Sequence, residues 1–122
     1  MPHIIIKGKI NFESIHMDFN KEVVHNNNSI IRFEDSLINH SKDLILINTV
    51  VIENNVSLKY YIQLMKKENQ ITLRLDPLTD PKNKTNYVKI SIAKVAKNIF
   101  LKNKDSDISI TKTNLQDFLE FN

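Results

Sequence analysis

Cysteine is absent from the 122 residues, so no disulfide, zinc–thiolate site or thiol nucleophile is available. Glycine occurs once, at Gly8, which excludes the glycine-rich loops that let backbone close on a phosphate or a dinucleotide. Tryptophan is missing, and Arg32 and Arg74 are the only arginines. No apolar run approaches the ~18 residues of a spanning helix. The longest, residues 44–47 and 50–52, is broken by Asn48 and Thr49, so no membrane span is expected. The opening Met1-Pro2-His3-Ile4-Ile5-Ile6-Lys7-Gly8 lacks the basic start and longer apolar stretch of a signal peptide. By default, a cytoplasmic location is the expectation.

What remains has ordinary globular proportions. Hydrophobic residues make up 41% and charged residues 25%, enough for one core and too much for wholesale disorder. Residues 1–122 read as a single domain. A core of this size is modest, so contacts between subunits are a natural further source of stability. The net charge of +3 and pI of about 9.1 reflect a lysine-rich surface. Isoleucine, asparagine and lysine are used so heavily that single Lys and Asn residues carry little functional weight.

The chain divides at its turn formers. Residues 3–10 contain the β-branched run Ile4-Ile5-Ile6 and read as a buried strand. Residues 11–24 place Ile15, Phe19 and Val23 on one helical stripe, with Asn11 as a cap and Asn26-Asn27-Asn28 as the closing loop. Residues 29–39 alternate poorly and are readable as strand or loop. Residues 43–53 and 56–66 are two strands, and the Asn54-Asn55 pair between them suits an antiparallel hairpin. A third strand follows at residues 70–75, then a proline-containing loop. Val88, Ile92, Val95, Ala96 and Ile99 next keep helical spacing, capped by Thr85 or Asn86. Residues 107–113 read as a short strand and residues 114–122 as a short helix. The expected fold is therefore α+β: a mostly antiparallel or mixed sheet of four or five strands, two helices on one face and a short C-terminal helix.

Chemistry-bearing patterns are few. His3, His16, His25 and His40 lack metal-ligand spacing, and no metal is expected. The lysines from Lys89 to Lys104 come without interleaved aromatics and with few arginines, which fits a solvated helix face better than a nucleic-acid surface. The feature with a chemical reading is Pro2. With Met1 removed, its nitrogen is a secondary amine at the end of a buried strand, where burial and nearby cations lower the amine pKa. Such an amine can take a proton from carbon and return it elsewhere. With Met1 retained, the same nitrogen is a non-basic amide.

Met1-Pro2-His3-Ile4 with its apolar strand, the strand Ile71-Thr72-Leu73-Arg74-Leu75 before a loop and helix, and Ile108-Ser109-Ile110 after that helix together resemble the tautomerase superfamily, in particular the 5-carboxymethyl-2-hydroxymuconate isomerase family. The resemblance implies a homotrimer, no cofactor, and an isomerase that moves a proton on a small keto or enol acid with Pro2 as general base. A cation to hold the substrate carboxylate is also implied. The family's glycine-containing turn with an arginine is replaced here by Asp76-Pro77-Leu78-Thr79-Asp80-Pro81. Where another arginine is expected the chain has Asn39-His40-Ser41-Lys42. The candidate substrate-binding residues are thus Lys42, His40, Arg74 and Arg32, although lysine lacks the two-pronged grip of arginine. On the residues alone, Arg74 reads as an exposed strand-face residue and Arg32 as an ordinary surface residue. The alternative function is a non-catalytic interaction or small-ligand-binding α+β domain.

Overall fold

A chain this rich in β-branched residues, punctuated by asparagine turns, forms mainly hairpins. The computed structural model describes residues 1–119. Strands β1 (His3–Lys7), β2 (Glu22–Asn26), β3 (Ser29–Ile38), β4 (Leu44–Glu53), β5 (Val56–Lys67), β6 (Gln70–Leu75) and β7 (Ser109–Thr113) form one sheet. Its spatial order is β2-β3-β4-β5-β6-β1-β7, antiparallel throughout. Helix α1 (Phe12–Met17) follows β1, helix α2 (Asn86–Lys102) lies between β6 and β7, and a 3₁₀ turn (Gln116–Phe118) follows β7.

The sheet curls into a half-barrel, and α2 packs against its concave face, touching β1, β3, β4 and β6. The strand alternation decides which residues point inward: Ile4 and Ile6, Ile45 and Ile47, Tyr60, Ile62 and Leu64, and Ile71, Leu73 and Leu75 are all buried. The α2 stripe of Val88, Ile92, Val95, Ala96 and Ile99 is buried against them. Tyr60 fixes helix to sheet with a polar bond, its hydroxyl lying 2.6 Å from Ser91 Oγ. Ser91 Oγ donates its own hydrogen to Val88 O at 2.6 Å, so Tyr60 is the donor of the pair.

Turn chemistry explains the hairpins. Asn54 and Asn55 both have positive φ (50° and 63°), as a two-residue type I′ turn requires. Asn27 at 53° serves the β2–β3 turn. Gly8, at φ 139°, ends β1, and its N–H donates to Asn69 O at 2.8 Å. A Cβ there would lie 2.6 Å from Ile108 Cγ2 and 2.7 Å from Asp107 O, so only glycine fits. Asn11 accepts from Ser14 N at the start of α1, and Thr85 accepts from Val88 N at the start of α2.

The α+β expectation is corrected by this arrangement. The sheet has seven strands rather than four or five, strand occupies 45% of the described residues against 22% helical, and one long helix covers the sheet. The expected pair of helices fails at residues 11–24: α1 stops at Met17, and Val23 and Val24 belong to β2. The physical reason is competition between periods. Ile15, Phe19 and Val23 fit a helical stripe, but Val23 and Val24 are β-branched, and a turn at Asn27 pairs them with Arg32 and Ile31. That pairing also makes strand β3 of residues 29–38, whose weak alternation comes from a bulge between Phe33 and Asp35. The tautomerase-like α+β layout falls with it, because five successive strands here are linked as hairpins. Of the expected terminal helix, only the Gln116–Phe118 turn forms within the described residues, anchored by buried Leu115; residues 120–122 lie outside them.

Three stability predictions rest on these anchors. Gly8→Ala should cost at least about 2 kcal/mol in urea unfolding, since backbone strain and a clash act together. Ser91→Ala, which strips the buried Tyr60 hydroxyl of its partner, should cost about 1–3 kcal/mol and more than Tyr60→Phe. Burial, the largest influence, and the nearby Glu53 charge push the Tyr60 phenol above its ordinary value. The unfolded chain therefore ionises first, near pH 10, and this stabilisation, complete below that pH, is lost as pH rises further. Wild type should lose stability above about pH 10 more steeply than Tyr60→Phe in pH-dependent denaturation.

Candidate functional site

The shortness of α1 leaves a gap on the concave side that α2 alone does not close. A cavity of about 300 Å³ lies between α1, the start of β2 and the C-terminal half of α2. The sheet supplies its floor through Phe33 and Ile47, α2 one wall through Val95 and Ile99, and the α1 segment the other through Ile15 and Phe19. Phe33, Ile47 and Ile99 are almost fully buried, so the walls are parts of the core rather than surface residues.

The rim is polar and cross-linked. Glu22 lies 3.4 Å from Lys94 Nζ through one carboxylate oxygen and accepts from Asn98 Nδ2 at 3.2 Å through the other. Lys102 Nζ donates to Asp18 O at 2.8 Å, joining the end of α2 to the end of α1. His16 Nδ1 lies 2.8 Å from Ser36 Oγ and fixes α1 to β3. These bonds engage Glu22 fully. Among the described residues they leave the Asp18 carboxylate and the Lys21 ammonium at the rim without an ion-pair partner. A mouth with one free acid, one free ammonium and several amides can hold a polar group, while the walls take an apolar body.

None of the five residues singled out from the sequence lines this cavity. Pro2 is buried just before β1, where Asn114 Nδ2 donates to the neighbouring Met1 carbonyl at 2.9 Å. Arg74 pairs in register with His3, but its side chain lies on the opposite, convex face from Leu73 and Leu75 and donates through Nε to Gln63 Oε1 at 2.7 Å. Arg32 is also convex-facing and lies 3.3 Å from Glu34. His40 is exposed in the β3–β4 loop, and Lys42 in the same loop lies 3.4 Å from Glu13 of α1. His40 and Lys42 are thus brought together by one loop, while Pro2 precedes the strand whose His3 pairs with Arg74. The cavity residues escaped sequence reasoning because Ile15, Phe19, Val95 and Ile99 read as ordinary core. The available signal was the polar cluster from Asp18 to Glu22 inside an apparently continuous helix.

Among the described residues, no three His, Asp or Glu side chains converge as a metal site would require. No helix among them is long and apolar enough to cross a membrane. No protein-family model, curated protein or solved structure matches the chain.

The cross-links make a testable claim about the rim. Glu22→Gln weakens the Lys94 contact and retains an acceptor for Asn98, so it should cost under about 1 kcal/mol. Glu22→Ala should also raise hydrogen exchange in residues 18–22, measurable by mass spectrometry, while β5 and β6 remain protected.

Proposed function

We propose that this chain is a small-ligand-binding domain whose ligand enters the cavity between α1 and the C-terminal half of α2. The observation that carries this reading is the contrast within one site: core-grade apolar walls beneath a rim that retains free polar groups. At about 300 Å³ the cavity reaches the lower end of small-molecule pockets. It is about twice the engineered cavity of ~150 Å³ that accommodates benzene. The matching ligand is a compact amphipathic molecule, with a bicyclic ring or equivalent branched hydrocarbon as its body and one polar group at the mouth.

A proton-moving isomerase needs its base and its carboxylate-holding cation around one substrate. Pro2, His40, Lys42, Arg74 and Arg32 occupy a strand start, a loop and the convex sheet face, so the binding reading uses the arrangement better. In this reading the polar rim residues orient the ligand, and the interlocked α1–β2 segment keeps water from the apolar walls.

The test is titration with 2-naphthol and Nile red, followed by fluorescence. Saturable binding is expected, and Val95→Phe, which adds bulk to the cavity wall, should weaken it at least about tenfold with the far-UV circular dichroism unchanged. Absence of saturable binding by either probe, or binding indifferent to Val95→Phe, would remove the support for this function.

A further inference from the structure

The convex face of the sheet presents apolar residues that no helix covers among the described residues. Along β3, β4 and β5 the side chains opposite the core include Leu37, Leu44, Leu46, Tyr61 and Met65, all partly or substantially exposed. The helices lie on the other side, α2 against the concave face and α1 held there by the His16–Ser36 contact. At the centre of this outer layer, Val50 is only 2% exposed, yet it does not belong to the core cluster that includes α2. Sheets with one solvated face ordinarily alternate apolar-in with polar-out, and β4 departs from that rule at Leu44, Leu46 and Val50.

Two charges flank the strip. Arg74 on β6 is held by the bond from its Nε to Gln63 Oε1, and Gln63 is itself only 9% exposed. No partner is present for its two terminal nitrogens among the described residues. Asp35 on β3 lies on the same face, in register with Asn48, and its carboxylate accepts only from the next backbone N–H, at 2.9 Å. The two residues are three strands apart, roughly 14 Å across the sheet. The strip thus has a fixed positive group on one side and a negative group on the other.

We propose that this convex face is the interface of a homodimer. A two-fold axis lying in the interface and running between β4 and β5 places β3 of one copy over β6 of the other. Arg74 then meets the partner's Asp35, and Asp35 the partner's Arg74, while the leucines and Met65 bury one another at the centre. The two-residue offset between the Arg74 and Asp35 rows is taken up by the oblique angle, about 30°, at which aligned sheets pack, together with the length of the arginine. A self-complementary patch is what a two-fold interface requires. Pinning by Gln63 reduces the ordering that Arg74 undergoes on association.

Sedimentation velocity and light scattering across 1–200 μM, on the full chain, test this. A dimer is expected, with Leu46→Asp monomeric at every concentration while its circular dichroism and urea unfolding midpoint persist. Asp35→Arg and Arg74→Asp should each weaken dimerisation at least about tenfold, and the double exchange should restore it to within about threefold of wild type. A wild-type monomer throughout the range overturns the proposal. So does a dimer that survives Leu46→Asp, or one that the double exchange fails to restore. Because the cavity lies on the opposite face, these outcomes leave the ligand-binding test independent.

Discussion

The structure depends on the seating of one apolar helical stripe in a curved sheet. Val88, Ile92, Val95, Ala96 and Ile99 lie at helical spacing on α2, and each loses almost all contact with water against strands drawn from both ends of the chain. Fully burying one large aliphatic side chain contributes about 1.5–3 kcal/mol, so this stripe with its inward-facing strand partners dominates the fold's favourable energy. Apolar contact alone leaves the helix free to slide. The Tyr60–Ser91 pair adds direction, because a buried hydroxyl without a partner is costly and this one has its partner in a single register. The strand β1 joins the same arrangement by inserting between β6 and β7, which ties the first residues of the chain to the last described strand.

The cavity is a consequence of unequal coverage. α2 has 17 residues and α1 has six, so the concave face is fully roofed along one part of α2 and only bridged along the other. The bridge is the segment from α1 into β2, secured by Lys102 to Asp18 and by Lys94 and Asn98 to Glu22. An apolar hollow with a polar, cross-linked mouth follows. The convex face is the other side of the same economy of helices. With the long helix α2 placed inside, Leu44, Leu46 and Met65 have no covering element among the described residues. The cavity and the uncovered leucines therefore belong to opposite faces of one sheet.

Most strands were legible because turn chemistry and alternation agreed. Asn54-Asn55 marks a hairpin for the same reason it forms one: asparagine accepts positive φ on both central residues. Thr85 and Asn11 could be read as caps because their side chains reach the free N–H groups of a first turn. Residues 18–24 depart from the helix expected of them, and residues 29–38 read as strand or loop, because local signals conflict there. A helical period through Val23 competes with the β-branched character of Val23-Val24, and the bulge at residues 33–35 blurs the alternation of β3. The candidate site was less legible still. The resemblance carried by Met1-Pro2-His3-Ile4 directed attention to Pro2 and to isolated cations, whereas the cavity is assembled from residues that look like ordinary core.

By itself the sequence determined a cysteine-free chain, the identities of its main strands, the apolar stripe and N-terminal cap of α2, and the absence of any long apolar run. Each of these follows from periodicity, turn chemistry or composition, which act over a few residues. Only the tertiary structure decided that residues 22–38 complete a seven-stranded sheet, that this sheet curls around one helix, and that Phe33 and Ile47 meet Val95 and Ile99 at a cavity. Those outcomes depend on pairings between residues far apart in the chain, where the burial gained across the whole sheet outweighs the local preference of any one segment.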